Sequence, residues 1–244
     1  MKAGENMTYR IALAGNPNTG KSTLFNALTG LRQHTGNWPG KTVTSAEGTF
    51  THNGITYHIV DLPGTYSLFS NSADEEVARD FLLFGHPDAT LVVADATALE
   101  RNLNLVLQIL EITPRVIVVV NLIDEARRQG IDIDAEALAR QLGVPVVLTS
   151  ARNGEGITEL LDVLDKMVRG EIATAPIQIR YDADVEERIA ALEPQVRQVL
   201  GDAFPSRWIA LRLLDGDESL LTALKENLTA PQEEVRDFGP VRAG

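Results

Sequence analysis

The sequence predicts an α/β chain: a mainly parallel sheet with one antiparallel edge strand and helices on both faces, followed by a small all-α appended domain. Three observations carry this reading. From residue 89 to residue 168, short β-branched runs alternate with segments of helical periodicity, the pattern of parallel strands buried on both faces. Asn53-Gly54 lies between two strand-like runs, and a dipeptide that tolerates positive φ is a strong hairpin signal. Beyond the Gly- and Pro-bearing stretch 170–176, apolar residues recur only at helical spacing.

Each element follows in order. Residues 11–14 are a short apolar run ending in a Gly-rich turn, after which Leu24, Phe25 and Leu28 mark a helix over 22–28. Residues 31–43 have the Gly and Pro content of a mobile loop. Residues 44–50 and 55–61 flank Asn53-Gly54 and form the antiparallel hairpin at one edge. Ser72-Ala73-Asp74-Glu75 has capping-box spacing and opens a helix carrying Val77, Phe81 and Leu82. Strands at 89–95, 116–121 and 146–149 then alternate with helices at 99–112, 135–142 and 157–168. Val185, Ile189, Leu192, Val196 and Val199 start the appended helices, with Pro194 expected to break this one or to start another. Further amphipathic stretches cover 208–214 and 219–228. The predicted division is therefore a domain at 1–170, a helical appendage at 171–230 and a polar, disordered tail at 231–244.

Composition narrows the function classes. With 244 residues, 44% apolar and 23% charged, the chain can bury a sizeable core and is neither disordered nor collagen-like. It has no cysteine, which removes disulfides, thiolate nucleophiles and thiolate metal sites and fits a reducing, cytoplasmic setting. Thirty-four acidic against 22 basic residues give a net charge of −12, which disfavours nucleic acid as a partner. The strongly apolar run 116–120 falls far short of the roughly 20 residues of a membrane-spanning helix. The first ten residues leave no room for the apolar segment of a signal peptide.

The chemistry sits at the carboxyl ends of the predicted strands. Gly15-Asn16-Pro17-Asn18-Thr19-Gly20-Lys21-Ser22 has phosphate-loop spacing: backbone N–H groups cradle phosphates, the lysine reaches the β and γ groups, and the serine hydroxyl binds magnesium. Asp61-Leu62-Pro63-Gly64 places a carboxylate where it can hold magnesium through water, although Pro-Gly alone is an ordinary turn. Asn121-Leu122-Ile123-Asp124 offers a carboxylate that can accept two hydrogens from a guanine edge, a donor pair that adenine lacks; a helix cap is its structural alternative. Ser150-Ala151-Arg152 follows the last strand, where a backbone N–H can meet the guanine carbonyl oxygen. Four such segments in order at strand ends compose a nucleotide site of an open α/β sheet.

This series resembles the translation-factor-like branch of Ras-like P-loop GTPases. More narrowly, Gly15 to Asn26, Gly36-Asn37-Trp38-Pro39-Gly40, Asp61-Leu62-Pro63-Gly64-Thr65-Tyr66-Ser67-Leu68, Glu100-Arg101-Asn102-Leu103 and Arg207-Trp208 through Asp217 resemble the cytoplasmic part of FeoB, the ferrous iron transport proteins. The resemblance implies hydrolysis of GTP to GDP and phosphate, with the change regulating Fe(II) uptake by a membrane permease domain of the same parent, at the cytoplasmic face of a bacterial inner membrane. It leaves the oligomeric state open, a homo-oligomer through the parent being one option. Gly15, Asn16, Pro17, Asn18, Thr19, Gly20, Lys21, Ser22 and Thr23 would bind phosphates. Asp61 and Gly64 would join them, and Asn121, Asp124, Ser150 and Ala151 would bind the base. Ser22, Thr42 and Asp61, the last through water, would hold magnesium.

The catalytic set implied is Lys21, Thr42, Gly64 and Asn18. Thr65 stands where Ras-like enzymes commonly have a water-orienting glutamine, so positive charge must come from elsewhere. In related potassium-dependent GTPases the second Asn of an Asn-Pro-Asn loop, here Asn18, ligates potassium with first-switch carbonyls, here around Gly36 and Trp38. Two departures stand out: the Asn121 to Asp124 string lacks the usual lysine, and Lys41 occupies a position where the family pattern is apolar.

Other residues have plainer readings. Trp38 is either a partner contact or a loop aromatic on the domain surface, and Trp208 is core. Lys41 is either a solvated side chain or one that alters the approach of the first switch. Asp74, Glu75 and Glu76 are first-turn acids suited to the helix dipole. His34, His52, His58 and His86 show no ligand spacing. An RNA-associated GTPase and a nucleotide-responsive interaction module with incidental hydrolysis remain as competing readings.

Overall fold

The computed structural model describes residues 8–30, 33–38, 41–69 and 72–229. Strand β1 (Thr8–Gly15) leads into helix α1 (Lys21–Thr29), then strands β2 (Gln33–Asn37), β3 (Thr44–His52) and β4 (Ile55–Asp61). Helix α2 (Ala73–Phe84), strand β5 (Ala89–Asp95), helix α3 (Leu99–Ile112) and strand β6 (Val116–Asn121) follow. Then come α4 (Ile123–Arg128), α5 (Ala135–Leu142), β7 (Val146–Leu148) and α6 (Ile157–Val168). Helices α7 (Ala183–Leu200), α8 (Ser206–Leu214) and α9 (Glu218–Thr229) complete the described chain.

The seven strands run β2-β3-β4-β1-β5-β6-β7. Strands β4, β1, β5, β6 and β7 are parallel, and β3 is antiparallel to both neighbours. Strand β6 is buried along its whole length, as its unbroken Val-Ile run requires when helices cover both faces. One apolar layer joins Leu13, Tyr57, Ile59 and Val119 to α1 and α6. The other joins Ala12, Val60, Val92 and Val118 to α2 and α3, and also takes in Ile189, Trp208, Ile209 and Leu220 of the helical domain. The appended helices thus share a core with the helix that follows Asp61-Leu62-Pro63-Gly64. Trp208 is buried, as its helical spacing predicts.

Three sequence expectations are corrected. Residues 33–37, read as part of a mobile loop, form edge strand β2 in register with 44–48. Their polar composition carries no alternation, and the open edge of β3 supplies the pairing instead. Pro194 neither breaks nor starts a helix. It lies inside the continuous 18-residue α7, which Ile189 and Val196 hold on the core, and that packing outweighs a local penalty of about 3 kcal/mol. The short α4 went unrecognised because its start depends on Leu122 adopting φ 64°. The Pro39-Gly40 pair of the first switch and the tail 231–244 lie outside the described residues.

A buried polar network crosses from α2 to the helical domain. The Arg79 guanidinium donates to Asp80 Oδ1 at 2.6 and 2.8 Å and to Ser219 Oγ at 2.6 Å, and lies 3.5 Å from Asp217 Oδ1. Burial works to raise the Asp217 carboxyl, but the Leu220 N–H, the Ser219 hydroxyl and the Arg79 and Arg212 guanidiniums hold it below the usual range. Removing one member of such a network leaves a buried charge unmatched. Arg79→Ala should therefore lower the unfolding free energy in urea by about 3–5 kcal/mol; a loss under about 1 kcal/mol would show that the network is dispensable.

Candidate functional site

The carboxyl ends of β1, β4 and β6, with the loop after β7, converge on one rim of the sheet. Between β1 and α1 the chain turns through Asn18 at φ 66° and Gly20 at φ 79°. Asn is among the few residues that tolerate this left-handed region. The Thr19 hydroxyl donates to the Asn16 carbonyl at 3.0 Å, fixing the turn. Asn18 is exposed at its crest, and Ser22 and Thr23 are exposed in the first turn of α1. The first N–H groups of that helix lack intrahelical acceptors, which makes its amino end anion-attracting.

Asn121 ties the site together. Its amide donates from Nδ2 to the Thr19 carbonyl at 3.0 Å, while Oδ1 accepts from Thr149 Oγ1 at 3.1 Å and from the Ala151 N–H at 3.0 Å. A Cβ on Gly20 would meet Asn121 Nδ2 at 2.4 Å, so glycine is needed there for space as well as for φ. Next to Asn121, Leu122 sits at φ 64°, a costly conformation for a branched residue that neighbouring contacts sustain. Its turn sends Ile123 N–H to the Thr149 carbonyl at 3.2 Å and starts α4. Asp124 Oδ1 accepts from the Ser150 hydroxyl at 2.9 Å, which is the main reason its carboxyl lies below the usual range. The carboxylate remains 29% exposed, and its outer oxygen lies 3.6 Å from the exposed Arg128 guanidinium, a pair weak enough for a ligand to displace.

The phosphate side is self-occupied. Lys21 Nζ forms an ion pair with Asp61 and donates to the Leu62 carbonyl at 2.7 Å. Burial pushes the Asp61 carboxyl up, more than the Lys21 ammonium pulls it down. The Gly64-Thr65 turn rests on the loop: a Cβ on Gly64 would lie 3.5 Å from Pro17, and the Thr65 N–H donates to the Gly15 carbonyl at 3.3 Å. The Thr65 hydroxyl is turned into its own loop, donating to the Ser67 carbonyl at 2.7 Å.

The phosphate loop, Asp61, Gly64, Asn121, Asp124, Ser150 and Ala151 are thus brought together. Thr42, Gly36 and Trp38 lie with the first switch instead: Thr42 is exposed, Gly36 pairs with Ser45 in β2, and Trp38 is buried edge-on against Phe81 of α2. Trp38 is therefore neither exposed for a partner nor merely resting on the surface. The acids at the start of α2 also do more than cap it, since Glu75 accepts from Ser67 Oγ and Glu76 pairs with Lys41. Thr149 and the Leu62 carbonyl were not foreseen, because nothing in their local sequence signals contacts made 28 and 41 residues away. Among the described residues no cluster of three metal-ligating side chains occurs.

Comparison with known proteins gives this arrangement its relatives. A family model described as Ferrous iron transport protein B matches residues 9–164, and one described as the FeoB cytosolic helical domain matches residues 181–238. The Fe(2+) transporter FeoB of Salmonella typhimurium is 41% identical over 255 residues, covering 93% of this chain and 31% of the transporter. The chain thus spans under a third of that relative's length. The cytosolic domain of the T. maritima FeoB iron transporter in a GDP form is 40% identical with a TM-score of 0.82, covering 96% of this chain and 92% of that one. The same domain in a GMPPNP form is 41% identical with a TM-score of 0.81, covering 94% and 91%.

The steric fit between Gly20 and Asn121 has a measurable consequence. Gly20→Ala adds backbone strain and forces the Asn121 amide off the Thr19 carbonyl, so chemical denaturation should show a loss of about 2–4 kcal/mol. A change within about 0.5 kcal/mol would mean that the loop relaxes without cost.

Proposed function

The chain belongs to the FeoB family of ferrous iron transport proteins, and from that premise we propose that it binds guanine nucleotide and hydrolyses GTP to GDP and phosphate. The observation that carries the reading is the pair Asn121 and Asp124. One is stapled to the phosphate loop, and the other is held ionised chiefly by Ser150, with its outer oxygen 3.6 Å from the exposed Arg128 guanidinium, a long surface pair that a ligand can displace. A carboxylate so fixed accepts the two adjacent N–H hydrogens of guanine and finds no such pair on adenine. Ala151 orders the base loop through its N–H bond to Asn121.

The phosphate tail would lie along residues 15–23, with Lys21 leaving Asp61 for the β and γ groups. Gly64 would turn its N–H toward the γ-phosphate. Hard divalent cations take oxygen ligands, and the exposed Ser22 hydroxyl and the Asp61 carboxylate fit magnesium on that ground. Bound magnesium supplies charge neutralisation at the phosphoryl oxygens. Thr42 joins this set only once the first switch has left α2. Thr65 spends its hydroxyl on Ser67 and carries no amide, so it does not orient water as a glutamine does. Charge stabilisation then falls to Asn18, whose exposed side chain suits a potassium ion shared with the carbonyls of Gly36 and Trp38.

We further propose that this activity regulates Fe(II) passage through a permease domain of a longer parent at the cytoplasmic face of the membrane. What supports that extension is the relative, a transporter of which this chain matches 31%. No described helix is long and apolar enough to cross a bilayer. The division at 1–170 and 171–230 remains our reading of its domains.

Calorimetric titration in potassium buffer should give binding of GDP and GMPPNP and none of ADP or an ATP analogue; equal affinity for adenine compounds would refute the base assignment. Asp124→Asn exchanges an acceptor for a donor and should move preference from guanine toward xanthine nucleotides. Steady-state turnover should be faster in potassium than in sodium at equal ionic strength. Equal rates would remove Asn18 from its metal role.

A further inference from the structure

Trp38 and residues 41–43 bond to one another and reach α2. The Trp38 N–H donates to the Val43 carbonyl at 2.8 Å, and the Lys41 N–H donates to the Trp38 carbonyl at 3.0 Å. The Trp38 ring packs edge-on to Phe81 with centroids 5.6 Å apart, and Val43 is buried in the same apolar layer. Lys41 extends to Glu76 in the first turn of α2 and forms an ion pair with it. One turn further along, Asp80 also feels the Lys41 charge, although Arg79 is its main partner. Thr42 stands exposed between Lys41, which is paired with α2, and the buried Val43. The first switch is therefore fastened to the helix that follows the second switch, by an aromatic contact and an ion pair.

We propose that Lys41 is a specificity-determining residue that, through Glu76, latches the first switch on α2 and so biases the chain toward the diphosphate. The proposal rests on the nucleotide reading above. A triphosphate has to draw Thr42 in and therefore has to open the latch. A diphosphate offers nothing for Thr42 to reach and leaves the latch closed. The apparent affinity of a ligand that needs the open form is reduced by the fraction of molecules that are open. Removing the pair raises that fraction and tightens triphosphate binding while leaving diphosphate binding alone. The Trp38 carbonyl, spent on Lys41 in the latched form, is freed by the same opening. Because Glu76 is borne on α2, a displacement of the second switch would withdraw the carboxylate from Lys41, so both switches would release together.

The size of the effect follows from exposure. With Lys41 35% and Glu76 24% exposed, the pair is only partly shielded, and its loss should change GMPPNP affinity about two- to five-fold. The test measures the affinities of GDP and GMPPNP for the unaltered chain, Lys41→Met, Lys41→Arg, Glu76→Gln and the Lys41→Met/Glu76→Gln double variant. The expected result is that Lys41→Met and Glu76→Gln each tighten GMPPNP at unchanged GDP affinity, the double variant goes no further than either, and Lys41→Arg behaves as the unaltered chain. Amide hydrogen exchange at residue 38 and residues 41–43 without nucleotide should quicken in Lys41→Met and not in Lys41→Arg. An unchanged ratio of GMPPNP to GDP affinity, or additive effects in the double variant, would overturn the latch while leaving the nucleotide reading intact. Failure of the unaltered chain to bind GDP at all would overturn the nucleotide reading itself.

Discussion

The proposed nucleotide site is organised by one buried side-chain amide. Asn121 joins two segments that are remote from it in sequence, donating to the phosphate loop at Thr19 and accepting from Thr149 and Ala151 in the base loop. A primary amide has donors on one atom and lone pairs on the other, so a single rotamer can satisfy a carbonyl and two donors at once. Because the group is buried, losing any of these bonds leaves a polar atom without water to replace it. The glycine at 20, the strained backbone of Leu122 and the position of Asp124 all follow from keeping this amide where it is.

The second organising feature is the sharing of α2 between two jobs. Its first turn holds loop segments, through Glu75 to Ser67 and Glu76 to Lys41. Its middle, through Arg79, holds Asp217 and Ser219 of the helical domain. Arg212 of α8 adds to this by stacking on the Phe69 ring at 4.8 Å, in the stretch between Gly64 and α2. From the other side Arg101 of α3 stacks on Tyr66 at 4.6 Å. The segment 65–69 is therefore framed by two guanidiniums, one from each domain. Contacts of this kind are worth on the order of 1 kcal/mol each, strong enough to set a position and weak enough to be exchanged.

Much of this was legible in the sequence, for identifiable reasons. Parallel strands covered on both faces need continuous apolar runs, so β5 and β6 were readable residue by residue. The phosphate loop and the Asn121 to Asp124 string were readable because their chemistry demands fixed spacing within a few residues. The edge strand β2 was not, since Gln33, His34, Thr35 and Asn37 are polar and pair only because β3 leaves an edge open. Pro194 misled because local cost was weighed without the packing that overrides it. The Thr149 hydroxyl, the latch from Lys41 to Glu76 and the network around Arg79 join residues 28 to 140 positions apart, and no local pattern encodes such a meeting.

The two halves of the site are prepared in opposite ways. The base half is built in advance: Asn121 is bonded to three partners, Ser150 orients Asp124, and the outer oxygen of that carboxylate meets only the exposed Arg128 at 3.6 Å. The phosphate half is closed on itself, with Lys21 on Asp61 and the Leu62 carbonyl, and with Lys41 on Glu76. A preformed site gives affinity without reorganisation and reads the base alike in every phosphate state. A site that must exchange internal ion pairs for ligand contacts gives less net affinity, since each cation already has a counter-charge to leave. Its response, however, depends on how many charges the ligand brings. On the proposed reading this division separates recognition, which stays constant through a hydrolytic cycle, from switching, which follows from phosphate oxygens competing with Asp61 for Lys21 and from the capture of Thr42 competing with the Lys41–Glu76 pair.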